Sequence, residues 1–385
     1  MRKRVKEKTE EEVSCFWYDV AMRYPEILRR ATSVATAGDV KIGSGHPVVI
    51  QSMTNTPTAD AAATIAQVRR LAEAGAQLVR VATPTPADTA ALAQIVAESP
   101  VGIVADVHFH FERALEAIAA GVVKIRLNPG NLTDRDSVRR VIDAAGEKGV
   151  AIRVGVNEGS VTDVRDAAQL AADRDRQLDE LMAEKMADYL AVFDDAGFTN
   201  LVLSAKSHDA YTTVAANRLL AARWDYPLHL GVTHAGTVAS GSIRSAAALG
   251  GLLAEGIGDT IRISFAGDPT AEVVAARELL ASLRLIPREG VELIACPTCG
   301  RLQVDLQPVL DELEARLAGL RVKRPVKLAI MGCVVNGPGE ADNADIAICC
   351  GKDAALLYRN GERIRKLTPD EIVPTILAEL KDYLV

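Results

Sequence analysis

The 385-residue chain has no long apolar run, no excess of positive charge and no secretory leader pattern. A membrane-spanning helix needs about 18 or more consecutive apolar residues, so we expect no span. The net charge of −7 argues against a nucleic-acid surface, because such a surface needs a basic face. The start, MRKRVKEKTEEEV, is basic, but no apolar segment follows it, and its glutamates argue against a transit peptide. These absences favour a cytoplasmic protein that binds neither membrane nor nucleic acid.

From about residue 48, short β-rich runs alternate with helical stretches rich in Ala, Leu and Glu. The β-rich runs are VVIQSM (48–53), LVRVAT (78–83), GIVADV (102–107), VVKIRLN (122–128), AIRVGVN (151–157), LVLSAK (201–206), LHLGVT (228–233) and TIRISF (260–265). This alternation predicts a parallel sheet, and eight such units fit a closed (β/α)8 TIM barrel. A Rossmann-type sheet is the competing layout, but no G-x-G-x-x-G motif follows the first run.

The length of the chain favours two domains, and the pattern changes near residue 287. Before that point, helices are predicted at 61–74, 86–97, 111–120, 135–148, about 167–196 and 269–285. After it, we predict a helix at 306–317, strands at 326–332 and 345–351, a hairpin turning at Asn360-Gly361, and a terminal helix capped by Thr368. The predicted organisation is an N-terminal extension over 1–34 with an amphipathic segment at 16–27, a barrel over 35–286, and a smaller α+β domain over 287–385.

Polar side chains recur at the carboxyl ends of the predicted barrel strands, where the active site of such a barrel lies. Residues two apart on a strand share a face, so these side chains are expected to converge. Five cations at one mouth would repel each other unless an anion lay among them, and arginine forks match phosphate oxygens. The expected site for a di- or polyphosphorylated small molecule comprises Arg80, Asp106, Arg126, Asn128, Arg153, Asn157, Lys206, Arg262 and Ser264.

The histidines are separated by their position in the chain. His234 directly follows the seventh strand and is a candidate acid or base, because imidazole titrates near neutrality. His108 and His110 follow the third strand and either line the barrel mouth or bond to the backbone. The residues interpreted as structural or surface histidines are His46, His208 and His229.

Five of the six cysteines lie between positions 296 and 350. Cys296 and Cys299 form a C-x2-C motif, which fits zinc as well as iron. A zinc ribbon would supply a second C-x2-C and a radical-SAM site a C-x3-C-x2-C, but the third thiolate here is the separate Cys333. Glu340 follows a Gly-Pro-Gly turn and is a possible oxygen ligand. Such a ligand is exchangeable, which suits an iron that must bind substrate. Spacing alone leaves a structural zinc site and an iron–sulfur cluster both open.

At these motifs the chain closely resembles the IspG (GcpE) family of (E)-4-hydroxy-3-methylbut-2-enyl diphosphate synthases. The matching runs are VIQSMTNT (49–56), VRVATPT (79–85), ADVHF (105–109), RLNPGN (126–131), IRVGVN (152–157), PLHLGVT (227–233), EGIGDTIRIS (255–264), ACPTCGR (295–301) and MGCVVNGPGEA (331–341). The resemblance covers roughly residues 35 to 385. GCVVNGPGE together with CPTCGR is highly specific for the family.

The resemblance implies a TIM barrel followed by a smaller α+β [4Fe–4S] cluster domain of the sulfite/nitrite reductase type. The implied cluster ligands are Cys296, Cys299, Cys333 and Glu340. The implied reaction converts 2-C-methyl-D-erythritol 2,4-cyclodiphosphate to (E)-4-hydroxy-3-methylbut-2-enyl diphosphate, by two-electron reductive ring opening and dehydration in the non-mevalonate (MEP) isoprenoid pathway. The electron donor would be ferredoxin or flavodoxin, and Glu340 or His234 would supply protons.

The resemblance further implies that the cyclic diphosphate lies among Arg80, Arg126, Arg153, Asn157, Lys206, Arg262 and Ser264. It also implies a head-to-tail homodimer, in which the cluster of one subunit lies over the barrel of the other.

This sequence departs from the family pattern at several positions. The family motif TEAG is THAG here, so His234 replaces a glutamate, and VNAGS is VNEGS, which puts Glu158 near the anion site. Cys349 and Cys350 replace small residues. Neighbours on a strand face opposite sides, so both cannot easily bind one metal, and we interpret them as core residues. The arm of about 30 residues at the N-terminus is extra. Two alternatives stay open: a zinc-stapled barrel enzyme acting on another phosphorylated metabolite, and a non-catalytic metal-cluster sensor or carrier.

Overall fold

A computed structural model of the chain describes residues 26–161, 177–317, 319–333, 335, 337–352 and 354–385. The chain divides into two compact units, residues 1–286 and 287–385. Most of the amphipathic segment predicted at 16–27 lies outside the described residues, as does the first part of the helix predicted at 167–196. No helix within the described ranges is long and apolar enough to cross a membrane.

The first unit is built on eight parallel strands. After a short hairpin, β1 (Val34–Ala37) and β2 (Val40–Gly43), strands β3 to β10 span Val49–Met53, Leu78–Ala82, Gly102–Asp106, Lys124–Leu127, Ala151–Asn157, Leu201–Lys206, His229–Leu230 and Thr260–Ile261. Their order in the sheet is β8-β7-β6-β5-β4-β3-β10-β9. A parallel bridge between Leu203 and Leu228 joins the two ends of this order. The predicted eight-stranded barrel is therefore confirmed.

Helices follow the barrel strands, as the alternation predicted. Helices α1 to α9 span Ala61–Glu73, Pro86–Glu98, Phe111–Ala119, Arg135–Lys148, Glu158–Val161, Leu178–Asp195, Ala210–Arg223, Val238–Ala254 and Pro269–Ser282. Side-chain oxygens of Asp60, Asp134 and Asp209 accept main-chain N–H groups at the first turns of α1, α4 and α7. These caps satisfy amides that have no partner inside the helix, so the three aspartates mark where these three helices begin.

The seventh and eighth strands are shorter than predicted. Regular pairing ends at Leu230 and Ile261, whereas the apolar patterns extended to residues 233 and 265. Immediately beyond β9, Gly231 lies against a cationic side chain: a Cβ there would stand 2.6 Å from Lys206 Nζ and 2.8 Å from the Arg262 carbonyl oxygen. A glycine in a strand pattern often marks such a close approach, and here it coincides with the end of the regular strand.

Alternation along the strands separates two kinds of interior. Outward-facing residues such as Val79, Ile125 and Leu203 pack with the helices in the main apolar core. A second apolar cluster joins Ala35, Ala37 and Ile42 of the β1–β2 hairpin to Val49, Leu78, Val104, Ala151 and Val202 of the barrel strands. The hairpin, which was not predicted, therefore packs on residues in the amino-terminal halves of these strands. The polar residues at the carboxyl ends remain for the site.

The second unit contains one five-stranded sheet. Strands β11 to β15 span Val291–Ala295, Val326–Met331, Ile346–Cys350, Ala355–Arg359 and Glu362–Leu367, and they lie in that order. β11, β12 and β13 are parallel, whereas β13, β14 and β15 are antiparallel. Helices α10 (Gln307–Leu317), α11 (Gly337–Ala341) and α12 (Ile372–Leu380) complete the described part of the unit.

Local signals in the second unit identified its hairpin and its last helix correctly. Asn360 and Gly361 have φ angles of 50° and 81°, the left-handed values that a two-residue hairpin turn of this kind requires. Thr368 and Glu371 form a reciprocal capping box before α12. The first strand, β11, was not predicted.

Candidate functional site

Six basic side chains lie inside the barrel. Each is largely buried, and the charges of the arginines affect the ionisation of others in the group: Arg80, Lys124, Arg126, Arg153, Lys206 and Arg262. Burial, reinforced by Arg153 and Arg80, holds the pKa of Lys206 well below its ordinary range. The pKa of Arg262 falls to about 10, chiefly through burial and secondly through Arg80. The structure thus brings together all five cations predicted to converge and adds Lys124.

Two carboxylates offset part of this charge. The Asp106 carboxylate lies 3.8 Å from Arg80 Nε and 3.5 Å from Arg126 Nη1. Burial opposes its ionisation, but Arg80, the hydrogen bond from His108 and the Arg126 charge outweigh burial and hold its pKa far below the ordinary value. Glu272, on α9, lies 3.5 Å from Arg262 Nη2. Four arginines and two lysines against two carboxylates leave the barrel interior with an excess of basic groups.

Several of the buried cationic atoms have no hydrogen-bond partner within the described residues. They include Lys124 Nζ, Arg153 Nε and Nη1, Arg126 Nε and Arg262 Nε. Buried polar groups are almost always satisfied, so unsatisfied donors in one cavity indicate a missing anion or water. Since the donors are cationic and their neighbours are cations, an anion is the better match.

Glycines on two strands make room for these side chains. A Cβ on Gly155 would lie 2.9 Å from Ser204 Oγ and 3.5 Å from Arg126 Nε. A Cβ on Gly231 would stand closer still to a cation, 2.6 Å from Lys206 Nζ. The sequence therefore keeps the inner wall open at these points, where a side chain would meet Ser204 or Lys206.

A cavity of about 570 Å³ lies beyond the cations, at the carboxyl ends of the strands. Its lining includes three predicted site residues, Asn128, Asn157 and His234, and five others: Asn131, Glu158, Gly159, His208 and Thr233. Ser264 is held differently, because its hydroxyl donates to the Val232 carbonyl at 3.0 Å. The cavity and the cations below it are large enough together for a phosphorylated small molecule.

Sequence reasoning missed Lys124 and His208, and it left His108 open between the barrel mouth and the backbone. Lys124 lies two residues before Arg126 on β6, so strand alternation could have identified it. His108 contacts Asp106, Arg126 and Asn131, with its ring nitrogens 3.3, 3.1 and 2.7 Å away. His208, which was interpreted as structural or surface, lines the cavity. That position depends on loop geometry, which the pattern did not reveal.

The three candidate cysteine ligands of the second unit lie around the end of β12. Cys296 N donates to the Ile330 carbonyl at 2.9 Å, and Gln303 N donates to the Gly332 carbonyl at 3.0 Å. These bonds tie the start of the C-x2-C segment, and a residue four positions beyond its end, to the stretch that leads into Cys333. A Cβ on Gly332 would stand 3.5 Å from Cys296 Sγ, so that sulfur lies beside the residue preceding Cys333.

The donor chemistry of this region fits an iron–sulfur cluster. Hydrogen bonds from Arg301, first from its main chain, lower the pKa of the Cys299 thiol, and thiolate is the form that binds metal. Within the described ranges, no three His, Cys, Asp or Glu side chains are already arranged to hold a metal ion. Within the described residues, the candidate thiol ligands thus lie around the end of β12 without forming a closed shell.

Cys349 and Cys350 are buried on opposite sides of β13. Cys349 packs in an apolar cluster with Ala329, Met331 and Ala341. Cys350 belongs to the other cluster, with Leu306, Leu328 and Ile348. Burial raises the pKa of Cys349 to about 12 and that of Cys350 to about 11, which keeps both as thiols. Their position matches the interpretation of both as core residues.

Family models match both units of the chain. The GcpE TIM-barrel domain matches residues 32–277, and the GcpE protein C-terminal domain matches residues 292–382. The chain belongs to the GcpE family. The resemblance stated from the motifs is therefore confirmed.

Curated GcpE relatives align over almost their whole length. A protein from Aquifex aeolicus is 44% identical over 92% of this chain and 98% of its own. One from Geobacter sulfurreducens is 43% identical over 93% of this chain and 99% of its own. Both are named 4-hydroxy-3-methylbut-2-en-1-yl diphosphate synthase (flavodoxin). A dihydropteroate synthase structure from Xanthomonas albilineans aligns with 67% of this chain and with 100% of its own chain. The TM-score is 0.45 and the sequence identity 16%, so this likeness is weak.

Proposed function

We propose that the chain is a 4-hydroxy-3-methylbut-2-enyl diphosphate synthase of the non-mevalonate (MEP) isoprenoid pathway. It reduces 2-C-methyl-D-erythritol 2,4-cyclodiphosphate by two electrons, opens the ring and releases water. In ionised forms, the cyclic diphosphate dianion, two electrons and one proton give the allylic diphosphate trianion and water. The observation that carries this proposal is the cationic barrel interior with its unpartnered donors, in a chain whose family relatives bear this name.

The barrel residues bind and orient the diphosphate. Arg80, Arg126, Arg153, Lys206 and Arg262 surround its charge, and bidentate arginine contacts restrict the orientation of the phosphates. Asn128, Asn157 and Ser264 provide polar contacts toward the mouth. Because the cations are fixed before binding, little reorganisation accompanies binding, and the carbon skeleton is directed into the cavity.

A [4Fe–4S] cluster is proposed on Cys296, Cys299, Cys333 and Glu340. When bound, it supplies low-potential electrons and a Lewis-acidic iron. The lowered pKa of Cys299 and the ties between the C-x2-C segment and β12 support the thiolate ligands. Glu340 lies exposed in the short helix α11, which is compatible with an exchangeable oxygen ligand.

The proposed electron donor is flavodoxin, as in the names of the relatives, or ferredoxin. The cations and the candidate cluster ligands belong to separate compact units. We propose a head-to-tail homodimer, in which the cluster of one subunit serves the barrel of the other.

Anaerobic purification followed by iron and sulfide analysis and turnover with reduced flavodoxin tests the function. We expect about four iron and four sulfide per chain and conversion of the cyclodiphosphate. Cys333→Ala should lose most of its iron and its activity. Cys350→Ala is the matched control, because it removes another buried thiol of the same unit, and it should keep its iron.

Two results would contradict parts of this proposal. A colourless protein with about one zinc per chain would show that these residues form a structural zinc site and hold no iron–sulfur cluster. An intact cluster without turnover of the cyclodiphosphate would leave a metal-cluster sensor or carrier, the other alternative.

A further inference from the structure

A carboxylate–imidazole pair lies at the rim of the barrel cavity. His208 Nδ1 is 2.8 Å from Glu158 Oε2, and Ser207 Oγ donates to the same oxygen at 2.7 Å. Glu158 follows β7, whereas Ser207 and His208 follow β8. Both members of the pair line the cavity that also contains Asn128, Asn157 and His234.

Main-chain and side-chain bonds of Ser207 hold this pair in place. The Ser207 carbonyl accepts the N–H of Thr233 at 3.0 Å, and its hydroxyl accepts the N–H of Asp209 at 3.0 Å. Ser207 therefore connects Glu158 to the start of α7 and to the segment that carries His234. A carboxylate held in this way can fix the ring orientation of its histidine, as in other carboxylate–histidine pairs.

The other two histidines near the cavity are less suited to proton transfer. Both ring nitrogens of His108 are engaged, Nε2 with Asp106 and Arg126 and Nδ1 with Asn131. His234 has a left-handed backbone, φ 52°, and its ring makes no hydrogen bond within the described residues. Among the histidines of the described residues, only His208 combines a fixed ring with a position on the cavity wall. Its Nδ1 contacts Glu158, and Nε2 is its other ring nitrogen.

We propose that His208 donates the proton taken up during turnover and that Glu158 is its positioning residue. This inference rests on the proposed function. As two electrons enter, the bond between carbon and the bridging phosphate oxygen breaks, and the released phosphate keeps the bonding pair. The hydroxyl on the neighbouring carbon leaves with the imidazolium proton as water, and the carbon–carbon double bond forms between the two carbons. Solvent then reprotonates the imidazole.

The charges around His208 favour its role as an acid. Glu158 is the nearest, Asp209 is adjacent in sequence, and His234 faces the same cavity. The hydrogen bond from Ser207, more than the neighbouring His208, lowers the pKa of Glu158, so its carboxylate is ionised at neutral pH. An ionised carboxylate at this distance attracts the protonated ring and holds it toward the cavity.

The test uses the full-length, cluster-loaded enzyme with dithionite and methyl viologen, so that docking of a donor protein does not contribute. Rates are measured across pH for the natural chain, His208→Gln, Glu158→Gln and His234→Gln. For His208→Gln we expect kcat to fall by about 10²- to 10⁴-fold while KM changes by less than roughly threefold. For Glu158→Gln we expect kcat to fall by about 10- to 100-fold, with KM again changing by less than roughly threefold. In a further variant, His208→Ala, added imidazole should restore part of the rate.

His46→Gln is the matched control, because this histidine lies before β3, at the opposite end of the barrel from the cavity. Normal kcat in His208→Gln would overturn the inference, as would a collapse of kcat in His234→Gln alone or an unchanged kcat in Glu158→Gln. If the natural chain carries its cluster but turns nothing over, the proposed function itself fails. The natural-chain measurement therefore separates the two failures.

Discussion

Arg153 illustrates how a residue of this barrel can be suited to a ligand and unfavourable for the fold. Its side chain is buried, and burial, followed by the charges of Arg80 and Arg126, holds its pKa well below the ordinary range. Two of its guanidinium nitrogens have no hydrogen-bond partner within the described residues. A buried charge without full compensation destabilises a protein, so binding an anion should recover stability that the ligand-free chain lacks.

Arg153→Met should therefore stabilise the ligand-free protein and weaken diphosphate binding. Removing the charge relieves repulsion and desolvation, and we expect the free energy of unfolding to rise by about 1–4 kcal/mol. Losing charged hydrogen bonds should weaken inorganic pyrophosphate binding by about 10- to 100-fold. Urea unfolding with and without pyrophosphate measures both effects. Tryptophan fluorescence reports on the barrel unit through Trp224, which packs against its main apolar core.

Arg139→Met is the control for that experiment. Arg139 is an exposed residue of α4 paired with Asp143 at 3.0 Å, so its loss should change stability by less than about 0.5 kcal/mol. If Arg153→Met instead destabilised the ligand-free chain, the guanidinium would have a structural partner. That result would contradict the assignment of the barrel interior as an anion site.

At the scale of elements, the turn that carries Glu340 is defined by a close contact. A Cβ on Gly337 would lie 2.8 Å from Cys349 Sγ and 2.9 Å from Cys349 Cβ. The second of these atoms belongs to a buried strand and cannot rotate away. Helix α11 can therefore pack on β13 at this point only because residue 337 lacks a side chain.

Gly337→Ala should displace α11 and lower the iron content. Overpacking of this kind costs about 1–3 kcal/mol, and the shift would move Glu340 from its place. Gly339→Ala is a matched control in the same helix, because a Cβ there meets nothing within 4 Å. Iron per chain after anaerobic purification and the urea midpoint are the two measurements. Equal iron content in both variants would show that the contact with Cys349 does not define the ligand turn.

Elements were predictable where local pattern determines them. Strand and helix alternation identified the barrel, and Asn360-Gly361 identified the hairpin turn, because two-residue turns of this kind depend on those residues. The β1–β2 hairpin was missed, since its four-residue strands are too short for a clear pattern and are stabilised by packing on Val49 and Leu78. β9 and β10 were predicted too long, because apolar content does not show where regular strand pairing ends. At β9 it ends where Gly231 approaches the Lys206 side chain.

The same distinction applies to the site. The arginines were predictable because their inward direction follows from strand alternation alone. Glu158 and His208 were not recognised as a pair, because they lie 50 positions apart, one at the start of α5 and the other on the loop after β8. Their contact is set by the way these two segments meet, which a strand pattern does not contain.

At the scale of the whole molecule, the proposed reaction would use groups from both compact units, since the cations and the proposed cluster ligands belong to different ones. The proposed head-to-tail homodimer makes a specific prediction about mixing two inactive variants. Arg153→Met has a damaged barrel and an intact cluster, whereas Cys333→Ala has the reverse. Half of the randomly re-formed dimers combine both, and in each of these one of the two sites has an intact barrel and an intact cluster.

The mixture should therefore show about one quarter of the natural specific activity, although neither variant alone is active. The dimers are dissociated and re-formed at equal concentrations under anaerobic conditions, and turnover of the cyclodiphosphate is measured. A mixture of Arg153→Met with Lys206→Met, both in the barrel, is the control and should stay inactive. Each subunit would have to use its own cluster if the first mixture also stayed inactive while its dimers exchanged normally. Partial recovery, in contrast, requires that one chain supplies the barrel and another supplies the cluster.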